Sequence, residues 1–171
     1  GPHACLAQAA LSLALRTFKA LYEAGMHADE QMYGELVRAF ESRMHSRPAE
    51  TCTWVEARVG EHIPWTTLLA SWTRHMIAHH DVPLVRADHL SRLLRLHIRC
   101  RHGWLSRLLY EQMREHHASM LPCTSPTLFG WLFMQSYSRP TSLSFAMRLY
   151  QDWCASGRAL PQAHIEPYLR S

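Results

Sequence analysis

SLALRTFKALYEAG, Ser12 to Gly25, is written a second time near the far end of the chain as SFAMRLYQDWCASG, Ser144 to Gly157. The two stretches align without a gap. Leu13, Leu15, Phe18 and Leu21 fall opposite Phe145, Met147, Tyr150 and Trp153. In the first copy apolar residues recur at 13, 14, 17/18 and 21, which is helical spacing. Gly25 follows the last of them, where a glycine ends a helix by taking the left-handed conformation, and Gly157 stands in the same place after Trp153. Trp104 to His117 is a looser third copy, with Leu105, Leu109, Tyr110 and Met113 as its stripe. PWTTLLASWTRHM, Pro64 to Met76, is a fourth, opened by a proline suited to a helix start. A second word also recurs: MYGELV (Met32–Val37) matches LFGWLF (Leu128–Phe133). Glycine inside a helix costs roughly 1 kcal/mol against alanine. Its return after an aromatic points to close approach, of a neighbouring helix or of a ligand.

Working outward, breakers at Gly25, Pro48, Pro83, Gly103, Pro122, Pro126, Pro140, Gly157 and Pro161 divide the chain. Helices are expected at 5–24, 30–44, 65–79, 86–101, 103–118, 126–138, 141–156 and 162–170. No period-2 pattern predicts a strand. Residues 45–63 interrupt the spacing and read as an insertion. Gly1-Pro2-His3 reads as the remnant of a removed tag, leaving 4–171 as a single domain. Helix pairs that repeat cannot bury their faces alone and stack on one another. The expected fold is therefore all-α, a right-handed α-solenoid of antiparallel helix pairs. Leu15, Phe18, Leu36, Leu94, Leu109, Leu132, Leu149 and Trp153 are its expected core.

Composition narrows the functional classes. A hydrophobic fraction of 47% belongs to a folded chain. No run approaches the roughly 20 apolar residues that span a bilayer, so no membrane role is expected. The 5 cysteines are scattered without a C-x-x-C pair, which argues against a disulfide framework or a zinc module. Of 18 basic Lys and Arg residues only Lys19 is a lysine, and the net charge is +4. Arginine's planar fork suits phosphate and base stacking, and a biased genome would also enrich it. The 13 histidines include His75/His79, His97/His102 with Cys100, and His116/His117. None follows a metal-binding pattern, so no metal or cofactor is expected. Nothing marks a nucleophile, a phosphate loop or paired carboxylates, so the chain is not expected to be an enzyme.

ALYEAGMHADEQMYGELVRAF (Ala20–Phe40) resembles the pentatricopeptide repeat family, with Gly25, Asp29, Tyr33 and Leu36 at the family's helix stop, loop and first-helix positions. AMRLYQDWCASGRALP (Ala146–Pro161) and TLFGWLF (Thr127–Phe133) repeat parts of the pattern. The resemblance implies a helical-repeat, RNA-binding protein of an organelle, the mitochondrion, engaged in RNA processing. It implies reading pairs Gly34/Arg86, Ser91/Ser125 and Gly130/Gln162, with Gln31 and Asp88 at the wedge positions between bases. Two of the three readers are glycines, so the implied contact is to the backbone of single-stranded RNA rather than to its bases.

On the helix VRADHLSRLLRLHIRCRH (Val85–His102), Leu90, Leu93, Leu94, His97 and Ile98 form the expected packing stripe. Ser91, Arg92, Arg95 and Arg99 lie on another face, and Arg38 holds the matching place four residues after Gly34. The expected RNA-binding residues are thus Arg38, Ser91, Arg92, Arg95, Arg99, Gly34 and Gly130. The alternative is a protein–protein interaction scaffold within a larger ribonucleoprotein complex, on which these arginines form an ordinary solvated face. ACLAQAALSLAL (Ala4–Leu15) is apolar nearly all round, which predicts self-association through the N-terminal helix.

Overall fold

The computed structural model describes residues 2–46, 51–52, 63–120, 129–130, 132 and 143–157. Six helices follow in order: α1 (Pro2–Glu23), α2 (Glu30–Ser46), α3 (Trp65–Ala78), α4 (Ala87–Arg99), α5 (Gly103–His116) and α6 (Leu143–Ala155). Phe129, Gly130 and Leu132 are helical as well. The expected helix at 162–170 lies outside the described residues. Among the described residues strand, which the sequence did not predict, is confined to β1 (Thr51–Cys52) and β2 (Ile63–Pro64). They pair antiparallel, Thr51 with Pro64 and Cys52 with Ile63. Two residues a side is too short for alternation to register in sequence, yet the pair brackets most of the expected insertion. The class remains all-α.

Four of the helix stops share one conformation. Gly25 and Gly157 take positive φ of 69° and 74°. After α1 the Gly25 and Met26 amides reach back to the carbonyls of Tyr22 (3.0 Å) and Leu21 (2.9 Å), the paired bonds that satisfy a helix's last acceptors. His80 and Arg101 do the same after α3 and α4, at φ of 57° and 58°. The amides of Asp81 and His102 bond Met76 (3.1 Å) and His97 (2.9 Å).

The chain forms two compact units, Gly1–Leu96 and His97–Ser171. In the first, α1 and α2 make a helical hairpin, with Phe18 against Tyr33 at 5.2 Å between ring centroids. Phe18 also meets Trp72 of α3 edge-on at 5.6 Å, and Tyr22 stacks on His79 at 4.4 Å. These contacts rise together along both helices, so α1 and α3 run in the same direction. The same holds for α2 and α4. Glu30 pairs with Arg86, which begins the turn into α4, at 2.9 Å. Gly34 abuts His89, and Glu41 binds Arg92.

In the second unit α5 and α6 also run parallel. Arg107 lies over Phe145 at 5.3 Å, Glu111 accepts from Arg148 at 3.3 Å, and Asp152 accepts from Arg114 at 3.0 Å. Phe129 packs on Trp153 at 4.6 Å. Leu15, Phe18, Leu36, Leu94, Leu109, Leu132, Leu149 and Trp153, the expected core, are all buried, as is the whole α4 stripe from Leu90 to Ile98. Leu13 is not: α1 turns Leu11, Leu15 and Phe18 inward and leaves Leu13 63% exposed. Among the described residues no helix is long and apolar enough to cross a membrane.

Candidate functional site

The parallel neighbours α2 and α4 carry most of the expected binding residues. Arg38 is exposed and donates to Glu35 at 2.9 Å. Arg92, two-thirds buried, donates to Glu41 through Nε at 3.0 Å and through Nη2 as well. Arg86, the implied partner of Gly34, is held by Glu30 and Asp88, each at 2.9 Å. Ser91 is half-buried, and Arg95 and Arg99 are exposed. Arg38, Arg86 and Arg92 are thus each paired with carboxylates, Arg38 with Glu35, Arg86 with Glu30 and Asp88, and Arg92 with Glu41. Pairing of this kind takes from these three arginines much of the field that would displace the counterions of a phosphate chain.

The reading positions are closed as well. Gly34 is buried. A Cβ placed there would lie 2.9 Å from Cε1 and 3.0 Å from Nε2 of His89. The glycine that the sequence left open between a helix and a ligand therefore receives an imidazole from α4. Gly130 is buried too. Gln31 and Asp88, at the implied wedge positions, are exposed. Ser125 and Gln162 lie outside the described residues.

A cluster that sequence reading missed lies at the other end of α3. Asp81 is fully buried. It accepts a hydrogen bond from His27 Nδ1 at 2.5 Å and another from the Tyr33 hydroxyl. A carboxylate taken from water costs several kcal/mol unless donors replace the lost hydration, and these two do so. Burial, with the bond to Asp81, pushes the Tyr33 phenol well above its ordinary range, and burial pushes Tyr22 up to about 12. The imidazole of His27 is half exposed and oriented by a carboxylate, the posture of a general base. No nucleophilic side chain is bonded to it among the described residues. The arrangement ties the α1–α2 loop, the start of α2 and the end of α3 together. In sequence the signal was a lone acid in HHDVPL, two residues before a proline.

In the second unit His97 is fully buried and shares a 3.0 Å contact between Nδ1 atoms with His102. Burial, and then the neighbouring imidazole, lowers its pKa to about 3. Burial raises the Cys100 thiol to about 11. His79 stacks on Tyr22 instead of joining His75 on an ion. Among the described residues no three His, Cys, Asp or Glu side chains converge as metal ligands. Comparison with known proteins returns no matching family model, no matching curated protein and no matching solved structure.

Proposed function

We propose that this chain is a non-enzymatic protein-interaction scaffold, built as a right-handed α-solenoid of pentatricopeptide-like helix pairs within an organellar ribonucleoprotein assembly. Support for the stacking comes from helices that run parallel with a helical segment between them in sequence: α1 with α3, α2 with α4, and α5 with α6 across the helical residues Phe129, Gly130 and Leu132. The observation that carries the functional reading is the pairing of Arg38, Arg86 and Arg92 with carboxylates, with His89 seated on Gly34. A face built to hold RNA would keep its arginines clear of carboxylates. Six large apolar side chains, Leu13, Met26, Leu84, Trp104, Met147 and Tyr150, are exposed, of which Met147 and Tyr150 are neighbours three residues apart on α6. The second reading, contact with the backbone of single-stranded RNA, draws on Arg95 and Arg99, exposed one turn apart on α4.

Filter binding with a mixed pool of single-stranded RNA, run beside affinity capture from host extract with and without ribonuclease, separates the two. The scaffold reading expects partners that survive ribonuclease and are lost on Leu13→Glu or Met147→Glu. It expects weak RNA retention that changes little on Arg95→Gln/Arg99→Gln. Tight retention whose log–log salt slope falls by one to two units in that double variant, at about 0.7 per phosphate, would transfer the conclusion to RNA.

A further inference from the structure

His97 and His102 stand at the two ends of the turn from α4 into α5, and the backbone of that turn is fixed. The amides of Arg101 and His102 bond the carbonyls of Ile98 (3.0 Å) and His97 (2.9 Å). The Ser106 amide and hydroxyl both bond the carbonyl of His102, each at 2.9 Å. Arg101 holds its positive φ of 58° in between. Both histidines are therefore set by their surroundings before any ligand arrives, which is what a binding constellation requires of its first ligands.

The two rings face each other. His102 occupies the N-cap of α5, where a side chain ordinarily bonds an amide of the first turn. Its side chain makes no cap bond, and its Nδ1 lies 3.0 Å from Nδ1 of the fully buried His97, with ring centroids 5.2 Å apart. As a hydrogen bond this contact needs one ring protonated on Nδ1 and the other on Nε2. With both rings protonated on Nε2, two lone pairs meet and repel unless a cation takes both. That change loses no net proton, since the donor ring moves its own from Nδ1 to Nε2. The separation also selects the ion. Metal–imidazole bonds are about 2.0–2.1 Å long. Two of them at a right angle put their nitrogens about 2.9 Å apart, and at the tetrahedral angle about 3.3–3.4 Å. The observed 3.0 Å lies near the first value, the cis arrangement of a tetragonal ion. Cu(II) and Ni(II) favour that geometry with nitrogen and oxygen ligands, and Cu(II) binds the tighter. His102 is half-buried, so water has access to the remaining positions on its side.

We propose that Nδ1 of His97 and Nδ1 of His102 form a two-histidine site for a tetragonal divalent transition ion, Cu(II) in preference, with water in its other positions. The site goes beyond the scaffold reading and does not depend on it.

The probe is Cu(II) sulfate, titrated into the full chain isotopically labelled at its histidine nitrogens. In nuclear magnetic resonance spectra of the imidazoles, the His97 and His102 signals should broaden at a fraction of an equivalent, ahead of every other histidine, because the unpaired electron relaxes the nuclei bonded to it. Binding should saturate with Kd on the order of 10 µM. His102→Asn should weaken it at least tenfold. His97→Gln should do the same, and the half-buried His102 keeps the test open should the buried change disturb folding by circular dichroism. His3→Ala, which parts an imidazole from the N-terminal amine, and His75→Gln/His79→Gln, on α3, should leave binding unchanged. Broadening spread evenly over the histidines overturns the proposal, as does the absence of saturable binding. Binding kept in His102→Asn but lost in either of the other variants places the ion elsewhere and overturns it too. Zn(II) that displaces equimolar Cu(II) would make the site tetrahedral and overturn the choice of ion.

Discussion

Gly34 is where one residue type decides a contact. Alanine there would gain about 1 kcal/mol in helix propensity. It would also drive a Cβ to 2.9 Å from the His89 ring, an overpacking that costs about 1–3 kcal/mol. The clash wins, because His89 is half-buried and its Nδ1 is enclosed. Gly34→Ala should therefore lower stability by about 1 kcal/mol. In a His89→Ala background the same change should raise it by up to about 1 kcal/mol. A denaturant double-mutant cycle that finds the two effects additive would show that the ring is not what the glycine accommodates. The sequence announced a close approach at this position and could not say by what, since His89 is far away in the chain.

At the scale of the element, helix periods and glycine stops were legible because both are local. Each expected helix within the described residues is present, with ends shifted by a few residues at most. The stops at His80 and Arg101 were not legible, since nothing about histidine or arginine signals positive φ. A residue with a Cβ pays about 1–2 kcal/mol to sit in the left-handed region, and glycine offsets part of its advantage through the freedom of the unfolded chain. Arg101→Gly should accordingly stabilise the protein by about 0.5–1 kcal/mol, while Arg101→Ala should be near neutral. Thermal melts of the two variants check this, and an alanine variant as stable as the glycine one would contradict it. The face that each copy of the repeated helix buries was equally hidden, Leu15 with Phe18 in α1 and Leu149 with Trp153 in α6. Each copy carries apolar residues on two adjacent faces, and only the neighbours that pack against a helix select between them.

Over the whole molecule, pH reaches the interior through His97. Its pKa is about 3 when folded, against 6.5 in a model peptide. Between those values the unfolded chain binds the proton and the native chain does not, so stability rises with pH across that window. The contribution is complete above about 6.5. It falls by up to ~1.4 kcal/mol per pH unit on acidification and levels off near pH 3. Urea midpoints measured from pH 7.5 to 4 should fall steadily, and His97→Gln should flatten the curve at some cost to stability at neutral pH. An unchanged slope in that variant would place the acid sensitivity elsewhere among the 13 histidines.

The sequence by itself determined the all-α class, the places of the described helices to within a few residues, the two glycine stops and the eight core residues, because period and propensity are properties of a few consecutive residues. It placed Arg38, Arg92 and Arg95 on polar helix faces for the same reason. Only the tertiary structure decided that Glu41 holds Arg92, that His89 fills the space over Gly34, and that Asp81 is buried between His27 and Tyr33. Charge balance and close packing depend on which helices meet. Glu41 and Arg92 belong to different helices, Tyr33 to α2 and Asp81 to the turn after α3, and each pair meets only when α2 packs beside α3 and α4.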